Sequence, residues 1–119
     1  MNATMETNAL AIARRALEQI VEAMALSKLP PRQRLTGAAV VLVHDVLPLL
    51  DNRADVPPEI SVKAVALWAR LTEHGSWQET LPLMSDAEVR YVIGELVSLY
   101  GMLAEAAGPG GMEEENDLP

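Results

Sequence analysis

The stretch GAAVVLVHDVLPLLDN, residues 37–52, decides the fold, because it holds most of the longest apolar run in the chain. At about 100° per residue, the phase of an α-helix, one face of residues 35–50 is continuously apolar. This face consists of Leu35, Ala38, Ala39, Leu42, Val46, Leu49 and Leu50. The remaining faces carry Val40, Val41, Val43 and Leu47. A helix that is apolar all round is a buried one, so the stretch predicts a helix at the centre of the molecule.

Two features of this stretch work against a regular helix. Three of the four residues 40–43 are valines, and β-branched side chains favour strands, so a strand is the alternative interpretation. The rest of the chain offers no second strand for it to pair with, which favours the helix. Pro48 cannot donate a hydrogen bond to the carbonyl of His44, so we expect a kink or a break there.

His44 and Asp45 raise the question of a catalytic or metal-binding pair. Neighbouring residues on a helix do not face each other, so these two side chains diverge. A histidine-based metal site recruits further His or Cys ligands, whereas the chain has no cysteine and one other histidine, His74, at the end of another predicted helix. We therefore interpret His44 and Asp45 as a polar boundary of the central helix.

The motifs of common enzyme classes are missing as well. No serine lies in a Gly-x-Ser-x-Gly elbow, and the chain has neither a phosphate-binding glycine loop nor a dinucleotide fingerprint. We predict that the protein is not an enzyme, that it needs no cofactor, and that it has no catalytic or metal-binding residues.

Two proline pairs, Pro30-Pro31 and Pro57-Pro58, mark helix boundaries. The residue before a proline avoids helical geometry, and a proline fits the first position of a helix. The predicted helices are 8–28, the helix beginning at Pro31, 58–73 and 85–106, with a short helical turn after Ser76. Ser76 with Glu79 and Ser85 with Glu88 have the spacing of capping boxes. Gly75 is the expected left-handed cap of the third helix.

The other helices each have an apolar stripe at three- and four-residue steps. The stripe residues are Leu10, Ala13, Leu17, Ile20 and Met24 in the first helix, Ile60, Ala64, Leu67, Trp68 and Leu71 in the third, and Val89, Val92, Ile93, Leu96, Tyr100 and Leu103 in the last. These stripes predict an all-α fold, a small single-domain helical bundle of four main helices plus a short helical turn. The bundle should span residues 8–106, between a flexible N-terminus (1–7) and a disordered acidic C-terminal tail (107–119).

Charge is distributed unevenly along the chain. Residues 1–70 carry eight Lys or Arg and seven Asp or Glu, whereas residues 71–119 carry one and ten, which accounts for the net charge of −8. An acidic surface repels phosphate groups, so direct nucleic-acid binding is not expected. The acidic half is instead predicted to contact a partner protein and to mask a basic nucleic-acid-binding surface on it. The residues assigned to this contact are Glu73, Glu79, Asp86, Glu88, Glu95 and Glu105.

The expected location is the cytoplasm. A chain without cysteine fits a reducing compartment. The segment MNATMETNALAIARRALEQ has two arginines where a signal peptide would have its apolar block. The longest apolar run is shorter than the roughly 20 residues of a membrane span, so no contact with a membrane is predicted.

The string KLPPRQRL, residues 28–35, resembles the opening of the promoter-recognition helix-turn-helix in sigma factors, where Leu-Pro-Pro-Arg begins a helix. EISVKAVALWARL, residues 59–71, resembles the recognition helix of such a domain. The resemblance implies a DNA-binding transcriptional regulator that uses residues 28–71. The would-be recognition helix offers only Lys63 and Arg70 to DNA, fewer basic groups than base-reading helices carry.

The basic residues of the same segment have a second interpretation. Lys28, Arg32 and Arg34 would form a basic corner, which meets an acidic partner or the acidic half of the protein itself.

Gly94, Ser98 and Gly101 lie on one stripe of the last helix. A glycine inside a helix costs about 1 kcal/mol relative to alanine, so two of them call for a reason. Close approach of another helix, within the bundle or from a second subunit, is one reason, and an unconstrained exposed face is the other. Contact with a second subunit would make the protein a structural homo-oligomer, such as a homodimer.

The leading hypothesis is a non-catalytic interaction protein that acts by stoichiometric binding of a partner protein. It would be a regulator, an inhibitor of a host or phage system in bacteria, or a chaperone-like protein of the secretion type. Segregated charge supports this hypothesis, because it steers association and selects partners.

Overall fold

The computed structural model describes residues 2–51 and 56–117, with side chains described in 9–51 and 56–106. Its helices are α1 (Asn2–Leu26), α2 (Pro31–Val41), α3 (Leu47–Leu50), α4 (Pro58–Leu71), α5 (Trp77–Thr80) and α6 (Asp86–Asp117). A π turn (Leu42–Val46) joins α2 to α3, and a 3₁₀ turn (Leu81–Leu83) follows α5. The described residues contain no strand, so the all-α prediction is confirmed and the strand alternative for residues 40–43 is wrong.

The two proline pairs begin helices as predicted. Pro31 and Pro58 are the first residues of α2 and α4. The carbonyls of the preceding prolines accept the first helical hydrogen bonds, at 3.0 Å from the N–H of Arg34 to Pro30 and 3.1 Å from that of Ser61 to Pro57. Each proline pair therefore ends one segment and opens the next helix at a fixed residue.

The distortion expected at Pro48 takes the form of the π turn. The backbone N–H of Leu47 donates to the carbonyl of Leu42, five residues back, where a regular α-helix would use the residue four back. Because Pro48 has no N–H and its ring collides with a helical carbonyl, the helix widens just before it. The extra residue turns the following segment by roughly 100° relative to a regular helix.

This rotation corrects the predicted inner face of the central helix. Val43 and Leu47, which a regular phase places off that face, are buried. Leu49, which it places on that face, is only partly buried. His44 and Asp45 are exposed, because the π turn presents its outer side to solvent there.

The core lies between α1, the α2–α3 segment, α4 and α6. Helix α1 packs against α2, α3 and α6, while α4 packs against α3 and α6. The fully buried leucines and isoleucine of this core are Leu17, Leu35, Leu42, Leu47, Leu50, Ile60, Leu71, Leu96, Leu99 and Leu103. Burying one such side chain is worth roughly 1.5–3 kcal/mol, so these contacts are the main stabilising force.

The predicted stripes of α1, α4 and α6 face this core, with two corrections. Trp68 was expected in the core but is 42% exposed, because it lies at the edge of the buried face of α4, beside Pro48. Leu99 is fully buried although it was outside the predicted stripe of α6. With it, the buried residues of α6 follow the alternating three- and four-residue spacing of packed helices: Val89, Val92, Leu96, Leu99 and Leu103.

Both predicted capping boxes are present. The N–H of Ser76 donates to the Glu79 carboxylate at 3.1 Å, and the N–H of Glu79 donates to the Ser76 hydroxyl at 3.2 Å. Ser85 and Glu88 make the same reciprocal pair at 2.8 and 3.1 Å. Gly75 has a φ of 114°, which confirms the left-handed glycine between α4 and α5.

The end helices are longer than predicted. Helix α1 begins at Asn2 instead of residue 8, and α6 continues to Asp117 instead of ending at residue 106. The side chains of 1–8 and 107–119 lie outside the described residues. The division into a flexible N-terminus (1–7), a bundle (8–106) and a disordered acidic tail (107–119) therefore stays a prediction.

Among the described residues, the segment Pro31–Leu50 is long and apolar enough to cross a membrane by length and composition alone. It has 20 residues, and 44% of its apolar window is buried inside the protein. The central helix of a globular core has the same properties, so this segment does not by itself indicate a membrane span.

Candidate functional site

The histidines do not assemble a polar centre. His44 and Asp45 are exposed on the outer side of the π turn, and His74 is exposed at the end of α4. The backbone N–H of His74 donates to the hydroxyl of buried Thr80 at 2.9 Å, which ties the α4–α5 turn to α5. Within residues 9–51 and 56–106, no three His, Asp or Glu side chains come close enough to hold a metal ion.

The six acidic residues assigned to partner binding are only partly available for it. Asp86 forms an ion pair with Arg32 at 3.0 Å, and Glu95 forms one with Lys63 at 2.6 Å. Glu79 and Glu88 serve as capping residues. The other two acids are exposed: Glu73 follows the end of α4, and Glu105 lies on α6.

Glu88 is the one of these six acids whose pKa is shifted. The backbone N–H of Ser85 donates to it and holds the pKa of Glu88 below its ordinary value, with smaller contributions from the Ser85 hydroxyl, Arg70 and His74. The negative charge of Glu88 is therefore stabilised by the start of α6 itself.

The basic corner is divided between two places. Arg32 donates to the carbonyl of Leu81 and to Asp86, so it meets the protein's own acidic half, which was one of the two predicted alternatives. Arg34 donates to the carbonyl of Met24 at 3.2 Å, and its buried Nε has no hydrogen-bond partner in the described part of the chain. Lys28 is exposed between α1 and α2.

The small-residue stripe of α6 faces outward. Gly94, Ser98 and Gly101 are all exposed. A Cβ placed on either glycine would meet no atom within 4 Å. Close approach of another helix inside the bundle therefore does not explain these glycines, and the contact with a second subunit and the unconstrained exposed face remain the two alternatives.

The segment that resembles a helix-turn-helix has a different layout. That motif joins its two helices by a turn of three or four residues. Here a helical segment of 20 residues, Pro31–Leu50, precedes the connection to α4. Both basic side chains of α4 have partners within the protein, since Lys63 pairs with Glu95 and the Arg70 guanidinium lies 4.8 Å from the centre of the Tyr91 ring.

An apolar cleft between α1 and α2 was not predicted. Its volume is about 360 Å³, which is within the range of ligand-binding clefts. Several of the residues that line the cleft are small, which leaves space between the two helices: Ala16, Ala23, Gly37 and Ala38. Larger apolar side chains, among them Ile20 and Leu29, line it as well. The signal in the sequence was the seven-residue spacing of Ala16 and Ala23 on α1, opposite a glycine on α2.

A second apolar surface, also not predicted, is the outward side of α4. We call it the α4 outer face and define it by Val62, Val65, Ala66 and Ala69, all exposed. A depression of about 130 Å³ between α3 and α4 adjoins it, lined by Pro48, Val65 and Trp68 among others. The buried stripe of α4 was predicted, whereas the signal for this surface in the sequence is that the opposite side of the helix is apolar as well.

Comparison of the chain with protein-family models, with curated proteins and with solved structures yields no match. The resemblance to sigma factors accordingly rests on residues 28–35 and 59–71 alone. Function has to be inferred from the surfaces of the molecule, namely the cleft between α1 and α2, the α4 outer face and the acidic residues.

Proposed function

We propose that this protein is a non-catalytic interaction protein that binds a partner protein stoichiometrically, as a regulator, an inhibitor or a chaperone-like protein. The observation that carries the proposal is the apolar cleft between α1 and α2. Two neighbouring helices that leave such a cleft can receive an apolar helix face or side chains from another protein.

The rim of the cleft fits a protein partner. Leu29, which lines it, is 54% exposed, and nearby Leu26 at the end of α1 is 82% exposed. Large aliphatic side chains this open to water gain from being covered. Arg34 of α2 lines the cleft, and Lys28 lies in the connection between α1 and α2. The matching segment of the partner is therefore apolar, with acidic residues at the end that meets these two cations.

The acidic half of the protein supports a second contact. In this part of the proposal, Glu73 and Glu105, together with the excess of acidic residues after residue 70, face a basic nucleic-acid-binding surface on the partner. Binding of this kind weakens steeply as salt is added, because exposed charges are screened. A salt titration of the complex that leaves affinity unchanged would remove the masking role and leave the cleft contact standing.

The first experiment is affinity capture from the native cell followed by mass spectrometry, with Gly37→Leu as the diagnostic variant. Gly37 lines the cleft, and a Cβ there meets nothing within 4 Å, so the side chain of a leucine can leave the backbone freely and occupy space in the cleft. Leucine is also favoured over glycine in a helix by about 0.8 kcal/mol. We therefore expect a protein of equal or greater thermal stability that no longer retains its partner.

The matched control is Gly94→Leu. Gly94 is likewise exposed in a helix with open space around it, but it lies on α6, away from the cleft. This variant should keep the partner while gaining similar stability. Retention of the partner by Gly37→Leu, at the same affinity as by the unchanged protein, would contradict the proposal.

Gly94→Leu also tests the alternative of a structural homo-oligomer assembled through Gly94, Ser98 and Gly101. What supports that alternative is the outward, unobstructed position of the stripe. In light scattering, an oligomer that depends on the stripe would dissociate in this variant. The DNA-binding alternative through residues 28–71 is checked by a duplex shift assay at low salt, in which we expect no shift.

A further inference from the structure

We infer that the cleft between α1 and α2 also binds a small amphipathic carboxylate, a medium-chain fatty acid, with its carboxylate at Arg34. Binding of a fatty acid goes beyond the protein contact proposed above, although both use the same cleft, so the two ligands would compete. Three features of the cleft support this ligand, namely its floor, its length and the charge at one end.

The floor of the cleft is an incompletely covered part of the hydrophobic core. Ile20, Met24 and Ala38 belong to the core and line the cleft, and each is 7% exposed. Leu17 and Leu35 lie on the same two helices but do not line the cleft, and they are 0% exposed. A hydrocarbon chain in the cleft would therefore extend the core, and covering this apolar surface favours binding.

The cleft follows the two helices lengthwise. Its lining on α1 extends from Ala16 to Ser27, which is about 16 Å of helix, and on α2 it reaches Val41. Its volume of about 360 Å³ is the space of about 12 water molecules in the liquid. An unbranched chain of about ten carbons, at about 1.5 Å per bond, fits within this length.

Arg34 gives one end of the cleft a positive charge. Its Nη1 donates to the carbonyl of Met24 at 3.2 Å, and its buried Nε has no partner in the described part of the chain. The described residues that line the cleft include no Asp or Glu, and Lys28 lies in the adjoining connection. Because the C-terminus of α1 contributes only about half a negative charge, this end of the cleft attracts a carboxylate.

Ser27 supplies a second hydrogen-bond donor at the same end. Its backbone N–H donates to the Met24 carbonyl at 3.3 Å, the carbonyl that Arg34 also bonds, so the two residues lie together. The Ser27 hydroxyl oxygen accepts the N–H of Leu29 at 3.1 Å, which leaves its O–H able to donate. A carboxylate bound by Arg34 and Ser27 directs the hydrocarbon chain toward Ala16 and Val41 at the other end of the cleft.

Calorimetric titration with decanoate and with decylammonium tests the choice of ligand on the unchanged protein. The two probes have the same chain length and opposite charges, and the net charge of −8 of the protein would by itself favour the ammonium. We expect decanoate to bind at least about 10-fold more tightly, because a carboxylate forms charge-assisted hydrogen bonds with a guanidinium. Absence of decanoate binding, or equal or tighter binding of decylammonium, would overturn the inference.

Arg34→Met tests the assigned position of the carboxylate. Methionine keeps much of the aliphatic packing and removes the charge, so decanoate affinity should fall about 10-fold or more, and Arg34→Lys should restore part of it. Because Arg34 also bonds to the end of α1, circular dichroism checks that the variants are folded. Ser27→Ala is the milder variant and should lower the affinity several-fold. Unchanged decanoate affinity in a folded Arg34→Met protein would place the carboxylate elsewhere and overturn the inference.

Gly37→Leu and Gly94→Leu separate fatty-acid binding from partner binding. Gly37→Leu occupies space in the cleft and should abolish decanoate binding, whereas Gly94→Leu on α6 should keep it. Decanoate binding that Gly37→Leu leaves unchanged would also overturn the inference. A protein that captures its partner through the cleft without binding decanoate would overturn fatty-acid binding alone, and one that binds decanoate there but captures no partner would overturn only the proposed function.

Discussion

Gly75 occupies a backbone conformation that other residues rarely adopt, with a φ of 114°. A Cβ at this position would also collide with the carboxylate of Glu79, the residue that caps α5. The residue lies in the turn between α4 and α5, so both this turn and the cap that follows depend on the absence of a side chain.

We expect Gly75→Ala to lower the free energy of unfolding by about 1–2 kcal/mol, because it adds backbone strain and displaces the capping carboxylate. Urea denaturation measures this change. Gly101→Ala is the matched control: its Cβ would meet nothing within 4 Å, and alanine is favoured in a helix by about 0.5–1 kcal/mol. The two substitutions should therefore change the free energy of unfolding in opposite directions. A change of the same sign in both variants would show that Gly75 is not required by its backbone conformation.

Glu88 links the stability of α6 to pH. Its pKa in the folded protein is lowered, chiefly because the Ser85 N–H bonds to the carboxylate. A lowered folded-state pKa means that the unfolded chain binds the proton more readily. The stabilisation by Glu88 is complete above the unfolded-state pKa and is lost as the pH falls through the folded-state pKa.

Glu88→Gln should therefore be less stable than the unchanged protein at pH 7 and should approach it in stability at pH 3. Glutamine also serves in a capping box, so the change isolates the charge of residue 88. Thermal unfolding at the two pH values gives the comparison, with Glu22→Gln, an exposed acid of α1, as the control for net charge. A deficit for Glu88→Gln that is equally large at pH 3 would exclude titration of this carboxylate as the cause.

At the scale of the element, the π turn decides which leucines of the central helix enter the core. Leu47 is 2% exposed, while Leu49 is only partly buried, the reverse of what a regular helix predicts. Leu47→Ala should cost about 2–4 kcal/mol, the usual loss for a buried leucine, and Leu49→Ala clearly less. Chemical denaturation of both variants distinguishes the π turn from a regular helix. A larger loss of unfolding free energy for Leu49→Ala than for Leu47→Ala would indicate a regular helix in solution.

Most helices could be predicted from the sequence because their signals are local. Proline at a first helical position, a serine with a glutamate three residues later, and a glycine after an apolar stripe each act within a few residues, and all three appear at the predicted places in Pro58, Ser85 and Gly75. The π turn could not be predicted in detail, since Pro48 indicates a distortion without specifying whether the helix bends, breaks or widens.

The candidate surfaces were harder to predict than the helices. The cleft arises from the fit between α1 and α2, and small residues such as Gly37 indicate space only when the facing helix is known. Arg32 and Asp86 are 54 residues apart in sequence, so their ion pair could be expected only as one of two alternatives. Trp68 was assigned to the core by its place in the pattern, whereas its exposure depends on how far α3 covers it.

At the scale of the whole molecule, Arg32 joins the nearly neutral first part of the chain to the acidic second part. From α2 it donates to the carbonyl of Leu81 in the 3₁₀ turn and to Asp86 at the start of α6. The connection between α4 and α6 is thus held against the bundle by a side chain from a distant part of the sequence.

We expect Arg32→Met to keep the aliphatic packing of this side chain but to lose both hydrogen bonds, at a cost of about 1–3 kcal/mol. Hydrogen exchange should accelerate most in residues 76–85, because the anchor of that segment is removed. Arg15→Met, at an exposed position of α1, should stay within about 0.5 kcal/mol of the unchanged protein. Unaltered exchange in residues 76–85 would show that Arg32 does not hold the connection.

Between Leu42 and Val46 the chain contains one residue more than a regular helix would need to reach the same end point. Losing one residue there would leave both flanking segments in their present orientation, whereas losing one in the middle of α1 or α6 would turn the rest of the helix by about 100° out of register. A regular helix can replace the π turn only without Pro48, because in a regular helix the ring of Pro48 would collide with the carbonyl four residues earlier. The surplus residue and the proline therefore form a unit, and a version of this segment that is shorter by one residue remains compatible with the fold only if Pro48 is replaced at the same time.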